Sequence, residues 1–150
     1  MNRDFQLWVL LNQTRDVVAQ ARENELKAIG INIVQAGLLH IIKNVEPRPT
    51  ITNIARWINR KPHTVHSVVA VMEKQGLVTK KKDLERKNLT RVVITKKGEK
   101  ALEQAQEKAK AVSEIMSCLT DKEAAQFRKS LKKVRDKAYE KLSMKPLTYP

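Results

Sequence analysis

Apolar positions recur with a helical period along most of this chain. In residues 4–27 they form one stripe, and Phe5, Trp8 and Val9 add apolar surface beyond it. The stripe consists of Leu7, Leu10, Leu11, Val17, Val18 and Ala21. This spacing places the side chains on one face of a helix. Because the apolar surface is wide, we expect the helix to pack into a second subunit or to lie deep in a core.

A second apolar segment follows the break at Gly30 and covers residues 31–43. Its apolar residues surround much of the helix circumference and are Ile33, Val34, Ala36, Leu38, Leu39, Ile41 and Ile42. That distribution predicts a central buried helix. The next segment, Glu46-Pro47-Arg48-Pro49, contains two prolines and predicts a stiff linker.

Two short helices joined by a tight turn are predicted between Thr50 and Gly76. Thr50 is a favourable N-cap, and Pro62 suits the first turn of the second helix, where its missing N–H costs nothing. The inward positions are Ile51, Ile54, Ala55 and Ile58, followed by Val65, Val68, Val69 and Met72. Gly76 suits the position just after a helix. Neither helix can bury much surface alone, so their apolar faces must meet each other and a third element.

A basic hairpin is predicted next, because residues 77–81 and 89–94 can pair as strands. The positions that alternate onto one face of the second strand are Thr90, Val92 and Ile94. Residues 79–100 contain nine Lys or Arg against three Asp or Glu. A helix pair followed by such a hairpin is typical of a winged helix-turn-helix, which places its second helix, the recognition helix, in a DNA groove.

Two more helices are predicted after this wing. Thr95 can cap a long helix over residues 96–119, and the Thr120–Glu123 capping box can open a last one. In the long helix the apolar residues recur every 3.5 positions, as in a coiled coil, and are Leu102, Ala105, Ala109, Val112, Met116 and Leu119. The apolar face of the last helix carries Ala124, Phe127, Leu131, Val134, Ala138 and Leu142. Residues 144–150 contain two prolines and predict a tail that packs on a partner.

These segments together resemble the MarR family of bacterial transcription regulators. The residues that carry the resemblance are Thr50 with Ile54-Ala55, Thr64-Val65 with Met72-Glu73-Lys74-Gln75-Gly76-Leu77-Val78, and Val92-Val93-Ile94-Thr95-Lys96-Lys97-Gly98. With the flanking helices, the resemblance covers nearly the whole chain. In the wing, Arg86-Lys87-Asn88 stands where the family usually has an Asp-Arg-Arg-like run, and Ser67 stands where the recognition helix is often basic.

The predicted fold is mainly α with a small β-hairpin wing: a winged helix-turn-helix plus a helical dimerisation domain. Residues 46–98 form the winged unit, which we call the reader. Residues 1–45 and 99–150 form the dimerisation region, within one structural domain overall. The resemblance implies that the terminal helices intertwine and that the two readers hang beneath them. Such a dimer presents its recognition helices about one DNA turn apart, roughly 34–36 Å, which fits a pseudo-palindromic operator.

Composition narrows the partner and the compartment. A chain of 150 residues suits one compact domain, and a net charge of +14 with a pI near 10.1 argues for a polyanionic partner. Because residues 1–55 carry only +1, the excess lies in the reader and the C-terminal third. The absence of a bilayer-spanning run and of a signal peptide predicts a cytoplasmic protein. The apolar neighbours of Cys118, the single cysteine, indicate a core position rather than a redox switch.

Four outward residues at the start of the recognition helix are candidates for reading DNA bases: His63, Thr64, His66 and Ser67. Small polar side chains and imidazoles can hydrogen-bond base edges in the major groove. The alternative interpretation is an ordinary solvated helix face. His63 and His66 could also share a metal ion, but no third ligand stands nearby, so no metal site is predicted.

Eight basic residues are candidates for contacts with the DNA backbone or the minor groove: Arg60, Lys61, Lys80, Lys81, Lys82, Arg86, Lys87 and Arg91. Such contacts position a protein without specifying a sequence. The alternative for several of them is a merely solubilising charge. Arg86 is our choice for insertion at the wing tip, because a narrow minor groove favours arginine.

Trp8, His40 and Trp57 are candidates for an effector pocket between the dimerisation region and the reader, although such residues more often fill a core. The resemblance implies a small aromatic or phenolic ligand near that junction. Enzyme motifs such as a phosphate-binding Gly-rich loop are lacking, so we predict no enzyme and no cofactor. We expect a dimeric repressor that leaves its promoter when a ligand or another signal changes the distance between the readers. The alternative is a winged-helix interaction module that binds RNA or an acidic protein.

Overall fold

The computed structural model describes residues 1–146, which contain seven helices and one two-stranded sheet. In chain order these elements are α1 (Arg3–Lys27), α2 (Ile33–Asn44), α3 (Ile51–Ile58), α4 (Pro62–Lys74), β1 (Val78–Lys82), β2 (Thr90–Ile94), α5 (Lys96–Glu107), α6 (Lys110–Met116) and α7 (Asp121–Lys141). The chain divides into two compact units, one ending at Ala109 and the other beginning at Lys110. Residues 147–150, the end of the predicted tail, lie outside the described residues.

Helix α2 is the centre of the first unit, as its sequence predicts. Leu38, Leu39, Ile41 and Ile42 have no exposed surface. The helix begins two residues later than predicted because Asn32 caps it in a capping box with Gln35. The buried side chains from the other elements of this core include Ile54 of α3, Val65, Val69 and Met72 of α4, Val92 of β2 and Leu102 of α5.

The predicted end signals of the helix pair are confirmed. The Thr50 hydroxyl accepts a hydrogen bond from the Asn53 amide at 3.2 Å, and the Asn53 side chain accepts one from the Thr50 amide at 3.0 Å. Pro62 is the first residue of α4. Gly76 follows the helix with φ of +75°, a left-handed conformation that glycine adopts without strain. Local sequence therefore determines where both short helices begin and end.

The wing is an antiparallel hairpin in which Val78 lies opposite Ile94 and Lys82 opposite Thr90. Its first strand runs one residue later than predicted. The linker before α3 extends along the other edge of β2, because the Val92 amide donates to the Pro49 carbonyl at 2.9 Å. The wing is thus joined through backbone contacts to the segment that leads into the helix pair.

The prediction of one continuous helix over residues 96–119 is wrong. Helix α5 ends at Glu107, and α6 begins at Lys110. The Ala105 carbonyl, which a continuous helix would pair with the Ala109 amide, instead accepts a hydrogen bond from the Arg22 guanidinium at 2.6 Å. The Ala109 amide donates to the Gln106 carbonyl at 3.3 Å, which is a tighter turn. A contact with α1, distant in sequence, therefore accompanies the break in the regular apolar pattern.

The prediction that Cys118 is a core residue is also wrong, because its side chain is exposed. Residues 117–119 form the turn between α6 and α7, where the Cys118 amide bonds back to the Ile115 carbonyl. Apolar neighbours in sequence indicate burial only when the segment is a packed helix or strand, and this one is a turn.

Helix α1 leaves most of its apolar stripe uncovered within the chain. Leu26 is its only buried residue, whereas Leu7 and Leu10 are each 58% exposed and Val17 is 62% exposed. The alternative that this helix lies deep in the core of its own subunit is therefore wrong, and packing against a second subunit stays the prediction.

Helix α7, in the second unit, likewise has no buried residue. Phe127 is 42% exposed and Val134 is 57% exposed on the apolar face that the sequence predicts. Its start is as predicted, since Thr120 and Glu123 form the capping box. In residues 1–146, no helix combines the length and the apolar character needed to cross a membrane.

Candidate nucleic-acid interface

Helix α4 has one buried face and one exposed polar face. The fully buried residues are Val65, Val69 and Met72. The four predicted base-reading residues, His63, Thr64, His66 and Ser67, are all exposed on the other side, near the start of the helix. Recognition helices of this class contact bases with their N-terminal residues. The packing that anchors the helix therefore leaves its N-terminal polar face accessible.

The C-terminal end of α4 is held by three hydrogen bonds from other elements. The Lys97 ammonium donates to the Gln75 carbonyl at 2.7 Å, and the Thr95 hydroxyl donates to the Gly76 carbonyl at 2.6 Å. The Gln35 side chain, buried in α2, donates to the Gln75 side chain at 2.9 Å. These bonds fix the recognition helix against both α2 and the start of α5. Sequence reasoning missed this junction, because only the fold brings the two glutamines together.

The start of α5 approaches the same junction closely. A Cβ atom at Gly98 would collide with the Leu77 carbonyl oxygen and would lie 2.8 Å from the Ile94 side chain. Glycine is therefore required at this position by space, although its φ is ordinary. The close approach places the Lys97 and Thr95 side chains within reach of the end of α4.

The basic residues of the wing divide into exposed and engaged groups. Lys81, Lys82, Arg86 and Lys87 are exposed. The Lys80 ammonium lies 3.9 Å from a carboxylate oxygen of Glu73 in the recognition helix. The two basic residues of the turn before α4, Arg60 and Lys61, are exposed as well. The exposed cations thus lie in the turn that precedes α4 and in the wing, and exposed cations are the groups that contact phosphates.

Arg91 belongs to the engaged group. Its side chain is only 17% exposed, and its Nε lies 2.9 Å from Oδ2 of Asp83. Its Nη1 donates to the Arg48 carbonyl at 3.0 Å. Hydrogen bonds from the Arg86 amide and from the Arg91 side chain hold the pKa of Asp83 below its usual value, so the carboxylate is ionised at neutral pH.

Sequence reasoning missed Asp83. The available signal was its position directly after β1, since an aspartate at the start of a turn commonly accepts hydrogen bonds from amides two and three residues later. The Glu85 and Arg86 amides do donate to its Oδ1, at 2.9 Å and 2.6 Å. The wing therefore has an ordered acidic residue at position 83, outside the segment where Arg86-Lys87-Asn88 replaces the Asp-Arg-Arg-like run.

The three candidates for an effector pocket lie on three different helices. Trp8, on α1, is 57% exposed. His40, on α2, is half-buried, with Nδ1 lying 3.4 Å from the Asn44 side-chain nitrogen. Trp57, on α3, is half-buried and packs against the core. A separate open depression of about 360 Å³ lies at the base of the wing and is lined by Pro47, Arg48, Lys81, Lys82, Asp83, Leu84, Glu85, Arg91 and Val93.

Metal binding has no structural support in the described part of the chain. Residues 1–146 contain no group of three or more His, Cys, Asp or Glu side chains that could hold an ion. His63 and His66 are both exposed on α4.

A sequence model of the MarR family matches residues 29–87, which span α2, the helix pair and the first part of the wing. Over these residues the chain is similar to the MarR family, and one solved regulator is 27% identical to it. The chain is a DNA-binding transcriptional regulator with the winged helix-turn-helix fold of that family. The predicted fold class is thereby confirmed. Among curated proteins, no sequence matches this chain at a significant level.

The similarity to solved structures extends over nearly the whole chain. The organohalide-sensing transcriptional regulator RdhR-CbdbA1625, solved with 2,4-dichlorophenol bound, is 27% identical with a TM-score of 0.87, and the match covers 100% of this chain and 92% of that one. MepR of S. aureus, solved as a DNA complex, is 19% identical with a TM-score of 0.80, covering 91% of this chain and 99% of that one. CouR from Rhodococcus jostii RHA1, solved with p-coumaroyl-CoA bound, is 18% identical with a TM-score of 0.76, covering 85% and 90%. At these identities, the last two show the fold alone.

Proposed function

We propose that this regulator is a homodimeric repressor whose residues 1–45 and 99–150 form the dimerisation region. The exposed apolar stripes of α1 and α7 support this assignment, because a soluble monomer rarely leaves such stripes open to water. The dimer presents two copies of α4 to successive major grooves of a pseudo-palindromic site. The protein acts in the cytoplasm and catalyses no reaction. Bound at a promoter, it excludes polymerase sterically.

The observation that carries the proposal is the accessible polar face of an anchored α4 beside a basic wing. The base-reading residues are His63, Thr64, His66 and Ser67. Ser67 donates its hydroxyl hydrogen to the His63 carbonyl at 3.1 Å, which leaves its oxygen lone pairs for a base donor. The backbone contacts come from Arg60, Lys61, Lys80, Lys81, Lys82 and Lys87, and Arg86 enters the minor groove at the wing tip.

A small aromatic ligand is the proposed signal for release. RdhR-CbdbA1625 was solved with 2,4-dichlorophenol and CouR with p-coumaroyl-CoA, and both ligands carry an aromatic ring. In this chain, Trp8, His40 and Trp57 are the proposed ligand contacts, between the dimerisation region and the reader. A ligand that binds one spacing of the two readers more tightly than the other shifts the dimer towards that spacing. Release follows when the favoured spacing no longer fits the operator.

Selection from a random-sequence duplex library tests the DNA-binding assignment. We expect the purified protein to recover a motif with two-fold symmetry and half-sites one helical turn apart. Titrations with single-stranded RNA and with an acidic protein serve as comparisons. Binding to RNA or to the acidic protein as tight as to the selected duplex would replace the repressor assignment with that of an interaction module.

The wing tip can be tested separately by the double substitution Arg86→Ala/Lys87→Ala. The substitutions remove two cationic contacts from each wing, four in the dimer, so binding should weaken and the slope of log K against log salt should fall by up to about 4. The matched control is Lys129→Ala/Lys133→Ala, which removes the same charge from exposed positions of α7. An equal loss of slope in both variants would show that overall charge, not the wing tip, produces the salt dependence.

A further inference from the structure

Asp83 connects the two ends of the wing tip through one carboxylate. Its Oδ2 accepts from Arg91 of β2 at 2.9 Å, and its Oδ1 accepts from the Glu85 and Arg86 amides in the turn. The backbone closes the same turn, since the Asp83 amide donates to the Leu89 carbonyl at 2.9 Å. The position of the Arg86 backbone therefore depends directly on the Asp83 side chain.

Arg91 continues this connection away from the tip. Its Nη1 donates to the Arg48 carbonyl, and the Arg48 guanidinium donates to the Ile42 and Lys43 carbonyls at 3.1 Å and 2.6 Å. These two carbonyls belong to the last turn of α2, where backbone acceptors lack helical partners. An unbroken series of hydrogen bonds thus runs from the wing tip to the end of the central buried helix.

The Asp83–Arg91 pair is far less exposed to solvent than the other basic residues at the wing tip. The two side chains are 19% and 17% exposed, whereas Arg86 and Lys87 are open to solvent. Partly buried ion pairs are screened by salt less than exposed ones, and a charge-assisted hydrogen bond at this distance is stronger than a neutral one. Arg91 therefore already has an ionic partner and a carbonyl acceptor in the free protein.

We propose that Asp83 and Arg91 are positioning residues for DNA binding, whose ion pair fixes the wing tip against the linker so that Arg86 and Lys87 face the DNA. Arg91 acts through this contact and does not bind a phosphate. The assignment differs from the one that its charge alone suggests. It also gives the wing an acidic residue whose presence favours the binding of a polyanion.

Electrostatics and positioning predict opposite results when Asp83 is neutralised. A carboxylate near DNA repels phosphates, so its removal should tighten binding if charge alone matters. Asp83→Asn keeps an oxygen acceptor for the two turn amides but loses the charge that pairs with Arg91. Because the tip is then held less firmly, we expect this variant to bind the selected duplex about tenfold more weakly.

Glu85→Gln is the matched control. Glu85 lies two residues after Asp83, its side chain is exposed, and the substitution removes the same charge. We expect this variant to bind the selected duplex as tightly as the unaltered protein or slightly more tightly. Dimer formation should be unchanged in both variants, and both should unfold cooperatively, with a lower midpoint only for Asp83→Asn because it loses the ion pair. Equal or tighter binding by Asp83→Asn would overturn the inference. If the unaltered protein selected no duplex at all, the DNA-binding function itself would fail, which is a different result.

A double-mutant cycle distinguishes positioning from an independent phosphate contact of Arg91. If the two residues act as a pair, Asp83→Asn/Arg91→Gln should bind no more weakly than the weaker of the two single variants. If Arg91 binds a phosphate by itself, the two losses should add, and the salt slope should fall by about 2 because the dimer carries two copies of Arg91. Additive losses would overturn the inference.

A measurement on the unaltered protein removes any dependence on how the variants fold. The Nε–H group of Arg91 gives a nitrogen–hydrogen NMR signal that reports on its bond to Asp83. We expect this signal to be protected from exchange in the free protein and to keep its position when the selected duplex is added. A large change on DNA binding, with loss of the Asp83 contact, would show that Arg91 transfers to the DNA and that the inference is wrong.

Discussion

The reader and the terminal helices have similar amphipathic patterns, but the apolar faces are buried in the reader and exposed in the terminal helices. In the reader, Ile54, Val65, Val69 and Met72 have no exposed surface. In α1 the corresponding apolar stripe is mostly exposed, and α7 has no buried residue. The same signal in sequence, apolar residues at helical spacing, therefore leads to two structural outcomes. We attribute the difference to the proposed dimer, in which the surface that covers α1 and α7 belongs to a second subunit.

This difference implies that the two regions respond differently to substitution. A residue of the reader core stabilises the single chain, so its loss lowers the free energy of unfolding directly. A residue of the terminal stripes stabilises the proposed dimer, so the destabilisation caused by its substitution should depend on protein concentration. The comparison can be tested by substitutions of the same size on each side of it.

The largest expected effect is that of Leu39→Ala in α2. Leu39 has no exposed surface, and its truncation leaves a cavity at the centre of the first unit. We expect the free energy of unfolding to fall by about 2–5 kcal/mol, measured by denaturant titration.

The control for Leu39→Ala is Leu84→Ala, at a wing position that is 93% exposed, which should change the stability by less than about 0.5 kcal/mol. Equal losses in the two variants would contradict the placement of the core. The loss at Leu39 should also be present at protein concentrations too low for the dimer to form.

A charge in the α1 stripe should separate dimerisation from folding. Leu10→Glu adds a carboxylate to a side chain that is 58% exposed in the single chain. The subunit should stay folded because nothing in its own core is lost. We expect a monomer in sedimentation experiments and a loss of operator affinity of about 100-fold or more, because two linked readers gain that much over one.

The control for this variant is Gln20→Glu, which adds the same charge to an exposed position of α1 outside the stripe. We expect it to remain dimeric. A dimeric Leu10→Glu protein with unchanged affinity would remove α1 from the dimerisation region and would leave its exposed stripe without the proposed role.

Sequence patterns predicted the elements whose causes are local. Thr50 and Thr120 mark helix starts, Gly76 marks a helix end, and alternating residues mark the strands of the wing. The break after Glu107 was not predictable, because the Arg22 contact with the Ala105 carbonyl joins residues 83 positions apart. The exposure of Cys118 was missed because its core position was inferred from apolar neighbours in sequence, whereas the segment is a turn.

The candidate interface shows the same division between local and distant causes. Exposure of His63, Thr64, His66 and Ser67 follows from the helical period of α4 and was predicted correctly, whereas their contacts with bases stay a prediction. The engagement of Arg91 could not be read from its charge, since its partners are a carboxylate across the hairpin and a carbonyl in the linker. Basic residues in a wing thus require structural context before they are assigned to phosphates.

The smallest expected effect is that of removing a helix cap in the reader. Thr50→Ala removes the hydroxyl that accepts from the Asn53 amide in the α3 capping box. We expect a loss of about 1 kcal/mol in the free energy of unfolding, because the first turn of α3 keeps an unpaired amide. Thr52→Ala, at an exposed position in the first turn of the same helix, makes the same chemical change without removing the cap, and alanine's helix propensity should leave that variant unchanged or slightly more stable. Denaturant titration of both variants separates the cap from propensity. If the two threonines proved equivalent, the start of α3 would be fixed by packing against α2 and β2 rather than by Thr50. The agreement between the predicted and observed boundaries of α3 would then overstate the role of local sequence in the reader.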